Sequence, residues 1–191
     1  MTFVKALILL SAAAFSSTAL AELSLSEQYD TVEELMYAHQ DYDPSNNTFE
    51  MLDSDKPHYR LSKLAFASEP ESVTYYENWR AAIYGVYNVF AHTSIEKVTV
   101  TATPLEIPSF QQRDQTTLLD DESVTLEMNR EQAFDVLASL IDIDSLSDVK
   151  VSAEYGYQWS EEFITVYYED RQPGLDALIS ELNRYCRGKC E

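Results

Sequence analysis

Glycine and histidine are both scarce in this sequence, with four and three residues respectively among 191. A phosphate-binding loop and a nucleophile turn both depend on glycine, and neither a glycine-rich phosphate loop nor Gly-x-Ser-x-Gly occurs. His39, His58 and His92 stand apart, and no His-x-x-x-His pair is present. These shortages exclude the motifs of the commonest nucleotide-binding proteins, serine hydrolases and zinc hydrolases, and we expect no cofactor.

The segment 41–52 is rich in oxygen-bearing side chains, which suggests a calcium loop. The calcium-loop pattern nevertheless fails, because position six is Asn46 where glycine is needed and position twelve is Leu52 where glutamate is needed. We therefore predict no metal site.

Basic residues are few, since Lys and Arg together number 13 against 33 Asp and Glu, which gives a formal net charge of −20. A field of this sign repels nucleic acid and anionic lipid head groups, and it attracts cationic partners at rates that fall as salt is added. We therefore expect a cationic protein partner and no nucleic-acid partner. Strong acidity also keeps exported proteins soluble with no partner implied, and this alternative stays open.

The first 21 residues form a predicted signal peptide. Lys5 precedes the apolar stretch 6–15, and a small-x-small cleavage site places the cut between Ala21 and Glu22. The apolar stretch is shorter than the roughly 20 residues that span a bilayer, and no cysteine near the cut could carry a lipoprotein anchor. We therefore predict a periplasmic protein, or alternatively a secreted one, with no membrane span after processing.

The remainder, residues 22–191, has the length of one globular domain. Removing the signal takes away one lysine and no acid, so the net charge changes from −20 to −21. A hydrophobic content of 45% supplies far more burial than a disordered chain carries. We therefore predict a single folded domain.

Both cysteines, Cys186 and Cys190, lie at the C-terminus. In an oxidising compartment two cysteines this close are expected to pair, and the small ring stabilises by at most about 2 kcal/mol. A catalytic redox pair is the alternative, but the spacing is Cys-x-x-x-Cys rather than Cys-x-x-Cys, and the pair follows a helix where catalytic pairs precede one. We therefore predict a structural disulfide.

Four segments have apolar residues at helical spacing, namely 31–40, 74–90, 129–141 and 175–186. The first two begin with capping-box pairs, Thr31 with Glu34 and Thr74 with Glu77. Asn129 caps the third, with glutamine three residues later. The second segment is aromatic on two adjacent rows, which favours a helix that is buried on two sides.

Four other segments alternate or run apolar as strands do, namely 97–103, 124–128, 149–155 and 163–168. The last is apolar on both faces and is expected at the centre of the sheet. Hairpins with interspersed helices predict an α+β fold. Its mainly antiparallel four-stranded sheet is packed by helices in the order α-α-β-β-α-β-β-α after the signal peptide.

The missing motifs and the charge together favour a binding role over catalysis. We expect an exported, non-catalytic protein that engages a cationic protein, as an inhibitor or immunity protein does. Residues 109–122 form a long polar connection, which is the first place to expect a partner contact. Asp120, Asp121 and Glu122 at its end are the candidate residues.

Two other functions remain open. Tyr76, Tyr84 and Tyr87 on the second helix offer flat rings with hydroxyl tips, which suit a glycan such as peptidoglycan. Such a protein is either a binding module or a hydrolase that uses a pair of nearby carboxylates. The aromatic row is alternatively the subunit interface of an envelope structural or assembly factor, and the sequence sets no oligomeric state.

Overall fold

The computed structural model describes residues 28–186. The predicted signal peptide, its cleavage site between Ala21 and Glu22, and Cys190 of the predicted disulfide lie outside the described residues. The described chain has an α+β fold, as the sequence predicts. Its five helices are α1 Val32–His39, α2 Glu71–His92, α3 Arg130–Ala138, α4 Glu161–Tyr167 and α5 Leu175–Cys186.

Nine strands lie in the same range: β1 Phe49–Asp53, β2 His58–Leu61, β3 Leu64–Phe66, β4 Lys97–Ala102, β5 Leu105–Ile107, β6 Thr117–Leu118, β7 Val124–Asn129, β8 Lys150–Ala153 and β9 Gly156–Trp159. They form a four-stranded sheet in the order β1-β2-β4-β7, a three-stranded sheet in the order β3-β5-β6, and the hairpin β8-β9. One sheet therefore carries the core, and two smaller ones lie beside it.

The four-stranded sheet is mixed, whereas the sequence predicts a mainly antiparallel one. Its outer pairs are antiparallel, but β2 and β4 are parallel, with Tyr59 opposite Val100. Parallel neighbours need a long connection, and α2 lies in the segment between these two strands. The prediction missed β1 and β2 entirely, and therefore it also missed the crossover.

The segment 163–168 is helix α4 rather than the central strand that its apolar run predicts. The Ser160 hydroxyl accepts a hydrogen bond from the backbone N–H of Phe163, which caps the helix. Phe163, Val166 and Tyr167 are buried at positions i, i+3 and i+4, so the apolar residues share one helical face. A short apolar run fits both periodicities, and the cap decides between them. The predicted element order is therefore wrong here as well as between α1 and α2, where the structure has β1, β2 and β3.

All four predicted helices lie close to where the sequence places them, as α1, α2, α3 and α5. Thr31 caps α1 by accepting from the backbone of Glu34, although the Glu34 carboxylate accepts from the backbone of Asp30. Asn129 and Gln132 form a complete capping box at α3. The predicted box at Thr74 is wrong, because α2 begins three residues earlier and places Thr74 inside the helix.

Helix α2 is the core element of the fold, packing on β4 and β7 of the four-stranded sheet and on α1. Gly85 allows the close approach, because a Cβ there would lie 2.6 Å from Cγ1 of Val100. From Asn78 to His92 nearly every side chain of α2 is buried. Among the described residues, no helix has both the length and the apolar character needed to cross a membrane.

Candidate functional site

The acidic residues predicted to contact a partner form a short exposed turn of 3-10 helix. Asp120, Asp121 and Glu122 are all exposed on it. The turn is fixed to α2, because the buried side chain of Asn78 donates a hydrogen bond of 2.8 Å to the Glu122 carbonyl. A second contact of 2.8 Å joins the hydroxyls of Thr103 and Ser123. The three carboxylates therefore stand on a well-anchored backbone.

A groove of about 630 Å³ runs between this turn and the start of α2, and we call it the acidic groove. Its walls are formed by Glu71, Ser72, Thr74, Tyr75, Tyr76, Asn78, Pro104, Glu122 and Val124. The structure thus brings Glu122 and Tyr76 together, although the sequence assigns them to two different functions. Among the described residues, none that lines the groove is basic.

Two tyrosines line the acidic groove. Tyr75 is 48% exposed, and its ring meets the ring of Tyr76 edge to face, with centroids 5.2 Å apart. The Tyr76 hydroxyl donates a 3.0 Å hydrogen bond to Asp176 at the start of α5, which raises the pKa of Tyr76. Tyr76 is therefore held in place as a neutral phenol, and the bond brings a further carboxylate to its ring.

Carboxylates beside exposed aromatic faces are suited to lysine and arginine side chains. A cation over a tyrosine face gains about 0.5 to 1 kcal/mol at an exposed site, and a surface ion pair gains roughly 0 to 1 kcal/mol. Each contact is weak, so a tight complex needs several of them. The acidic groove supplies both kinds of contact side by side.

No protein-family model, curated protein or solved structure matches this chain. The groove is therefore interpreted from its own chemistry. Within the part of the chain that the structure describes, no group of three or more His, Cys, Asp or Glu side chains is placed to hold a metal ion.

The three tyrosines predicted to bind a glycan do not share one surface. Only Tyr76 reaches the acidic groove. Tyr84 is buried, donates a 2.7 Å hydrogen bond to Oδ2 of Asp41, and lines a different cleft. Tyr87 is fully buried, donates to the Ala133 carbonyl at 3.1 Å, and has its pKa raised by burial. The three rings therefore offer no common platform to a sugar.

Sequence reasoning missed two residues that the structure places at surface sites. Tyr75 belongs to the apolar stripe of the helical segment 74–90, which is predicted to face the core, but in the structure it is exposed in the first turns of α2. Lys150 was treated as part of an alternating strand, yet its side chain is buried beside aromatic rings. Alternation from Val149 places Lys150 on the outward row of that strand, so no pattern in the sequence indicates its burial.

Proposed function

We propose that this protein is an exported, non-catalytic binding protein that captures a cationic protein, in an inhibitor or immunity role in the periplasm. The acidic groove is the observation that carries the proposal, because it sets carboxylates beside two tyrosine faces. The formal net charge of −20 supports it, since a field of that sign steers cationic partners toward the surface.

Net charge alone does not distinguish one cationic partner from another. The groove adds short-range contacts that a partner must match in shape. Arginine or lysine side chains that enter it meet Glu71, Glu122 and the ring of Tyr75, which all line the groove. Long-range attraction governs the rate of encounter, and these short contacts govern residence. The groove therefore separates a specific complex from general attraction to an acidic surface.

A labelled octa-arginine peptide tests the proposal by fluorescence anisotropy, with octa-glutamate as the peptide control. The groove variant carries Glu122→Gln, which changes the carboxylate of the turn that lines the groove, together with Asp120→Asn and Asp121→Asn on the same turn. A matched control variant carries Asp55→Asn, Asp114→Asn and Glu154→Gln, which removes three exposed carboxylates elsewhere. We expect the groove variant to bind the peptide roughly tenfold more weakly than the wild type, and the control variant to stay within about threefold of it.

Equal losses in the two variants would show that net charge acts without the groove. Absence of binding at low salt would overturn the proposed function as a whole. The Tyr75→Ala variant separates the aromatic contribution, which we expect to weaken binding roughly two- to fivefold. Capture experiments on an envelope extract then identify the natural partner, with the groove variant as the negative control.

A further inference from the structure

A second concave site, which we call the lysine cleft, shares no lining residue with the acidic groove. It has a volume of about 610 Å³ and lies between the β8-β9 hairpin, α4 and the chain around Asp41. Lys150 and Trp159 occupy directly opposite positions on the hairpin, so their side chains share one face. Both side chains line the cleft.

Lys150 is buried to an unusual degree for a lysine, with 7% of its surface exposed. Its Nζ lies 3.6 Å from the ring centroid of Trp159 and 5.6 Å from that of Tyr84. Burial lowers its pKa to about 8, and the charge of Asp41 opposes that shift. Within the described residues this Nζ forms no ion pair and no hydrogen bond with a protein group, so its N–H donors are left to a ligand or to water in the cleft that Lys150 lines.

A structural explanation for Lys150 is that it only packs on Trp159. Cation–π contact gives about 2 kcal/mol when the cation is desolvated, but it does not satisfy three N–H donors. The walls around it are also held in place, since Asn88 donates to the Tyr84 hydroxyl at 3.1 Å and that hydroxyl donates to Asp41. An ordered wall and a cationic donor without a protein acceptor, both lining the same cleft, are suited to binding a ligand.

Both signs of charge line the lysine cleft. Lys63 is the second cation, and the carboxylates are Asp41, Glu161 and Glu162. An anion would gain from Lys150 but would be repelled by these three acids and by the field of the whole chain. A cation would gain from the acids and leave Lys150 unpaired. A ligand that carries one charge of each sign avoids both penalties.

We propose that the lysine cleft binds a small zwitterion with a flat apolar body, of the aromatic amino-acid class. Its carboxylate accepts hydrogen bonds from Nζ of Lys150, and its ammonium group faces the acidic side of the cleft. The apolar body lies against Trp159 and Tyr84, which meet edge to face with centroids 5.8 Å apart. This inference is independent of the function proposed for the acidic groove.

Three probes of similar shape separate the contributions of the ligand's ammonium and carboxylate groups. L-phenylalanine carries both groups, 3-phenylpropionate lacks the amine, and phenethylamine lacks the carboxylate. The chain has two tryptophans, so Trp79→Phe leaves Trp159 as the sole tryptophan reporter at the cleft. We expect L-phenylalanine to change the Trp159 emission and to bind roughly tenfold or more tightly than either analogue, since a charge-assisted hydrogen bond contributes about 1.5 to 3 kcal/mol.

Replacing Lys150 supplies the decisive variant. Lys150→Met in the same background should weaken binding of L-phenylalanine roughly tenfold and remove its advantage over phenethylamine. The matched control Lys97→Met, at the exposed first residue of β4, should leave both unchanged. Lys150→Gln, a polar and neutral replacement, should behave as the methionine variant does. Equal affinity for the three probes, no binding at about 10 mM, or an unchanged Lys150→Met variant would each overturn the proposal.

Discussion

Burial of Lys150 disfavours the charged form of its side chain. Its ordinary pKa of 10.5 is lowered to about 8 in the fold, so the folded state binds the proton less well than the unfolded chain does. The resulting penalty is fully present below about pH 8 and disappears as pH rises toward 10.5. Lys150 lowers the stability of the fold and forms no ion pair within the described residues. Such a destabilising side chain is typical of a site under functional selection.

Lys150→Met should therefore stabilise the protein at pH 7. Methionine keeps the length and loses the charge, and the gain is the desolvation penalty reduced by the lost cation–π contact with Trp159. We expect the free energy of unfolding to rise by about 1 to 2 kcal/mol in urea titrations. The gain should shrink between pH 8 and 10.5, as the wild-type lysine loses its proton.

Asp41, Lys63, Glu161 and Glu162 also line this cleft, so the comparison is made between wild type and variant at each pH. Lys97→Met replaces an exposed lysine paired with Glu127 and should change stability by less than about 1 kcal/mol. A destabilised Lys150→Met variant would show that the ammonium group is favourably solvated or paired in the fold.

The hydroxyl group of Tyr84 is a second feature that a single substitution can test. Its hydroxyl accepts from the buried Asn88 side chain and donates to Asp41, so Tyr84→Phe deprives Asn88 of an acceptor inside the core. We expect a loss of about 1 to 2 kcal/mol in the free energy of unfolding by urea. Tyr37→Phe removes a hydroxyl from a ring that is 83% exposed and should be neutral. Equal losses of stability in Tyr84→Phe and Tyr37→Phe would contradict a stabilising role for the hydrogen bonds among Asn88, Tyr84 and Asp41.

At the scale of elements, the contact between α2 and the sheet sets the sharpest steric demand. A Cβ at Gly85 would lie 2.6 Å from Val100 Cγ1 and 3.1 Å from Leu61 Cδ1. Gly85→Ala favours the helix by about 1 kcal/mol, but overpacking costs roughly 1 to 3 kcal/mol. We expect the steric cost to exceed the helical gain and the midpoint of urea unfolding to fall.

A compensating change distinguishes this contact from a general defect in the helix. Adding Val100→Ala removes both methyl groups that meet the new Cβ, so the double variant should be more stable than the sum of the two single changes predicts. A favourable coupling of about 1 kcal/mol or more in the double-mutant cycle supports the close approach. Additive effects would show that the lost stability of Gly85→Ala does not come from the contact with Val100.

The helices and strands also show which parts of the fold local sequence patterns predict. Asn129 with Gln132 identifies the start of α3, because a cap is formed by neighbours in sequence. The run from Phe163 to Tyr168 is apolar at both helical and strand spacing, and only the Ser160 cap resolves it. Strands β1 and β2 are short, and their hairpin is defined by pairing with β4 that no local pattern encodes.

The candidate sites divide in the same way. The sequence predicts the polar connection 109–122, and the Asp120–Glu122 turn at its end is exposed in the structure. Its position beside Tyr76 does not follow from the sequence, because the turn meets α2 through a hydrogen bond between Asn78 and Glu122, which are 44 residues apart. The cleft around Lys150 likewise joins residues from four separate segments, and no spacing in the sequence predicts that assembly.

At the scale of the whole molecule, the excess of acids acts on stability and on binding in opposite senses. With 33 acidic and 13 basic residues the folded chain repels itself, and compaction works against that repulsion. Salt screens the repulsion, since the Debye length falls from about 30 Å at 0.01 M to about 3 Å at 1 M. The same screening weakens attraction to a cationic partner.

Raising NaCl from about 0.01 to 0.5 M should therefore increase the Tm of the protein and weaken its binding of octa-arginine over the same interval. Calorimetry and anisotropy measure the two effects, and sucrose in place of salt controls for general exclusion of a solute from the surface. The variant with Asp55→Asn, Asp114→Asn and Glu154→Gln has three fewer negative charges, so its Tm should respond less steeply to salt. A Tm that stays flat or falls would mean that the acids do not oppose folding, and the charge would then be a cost-free means of steering a partner.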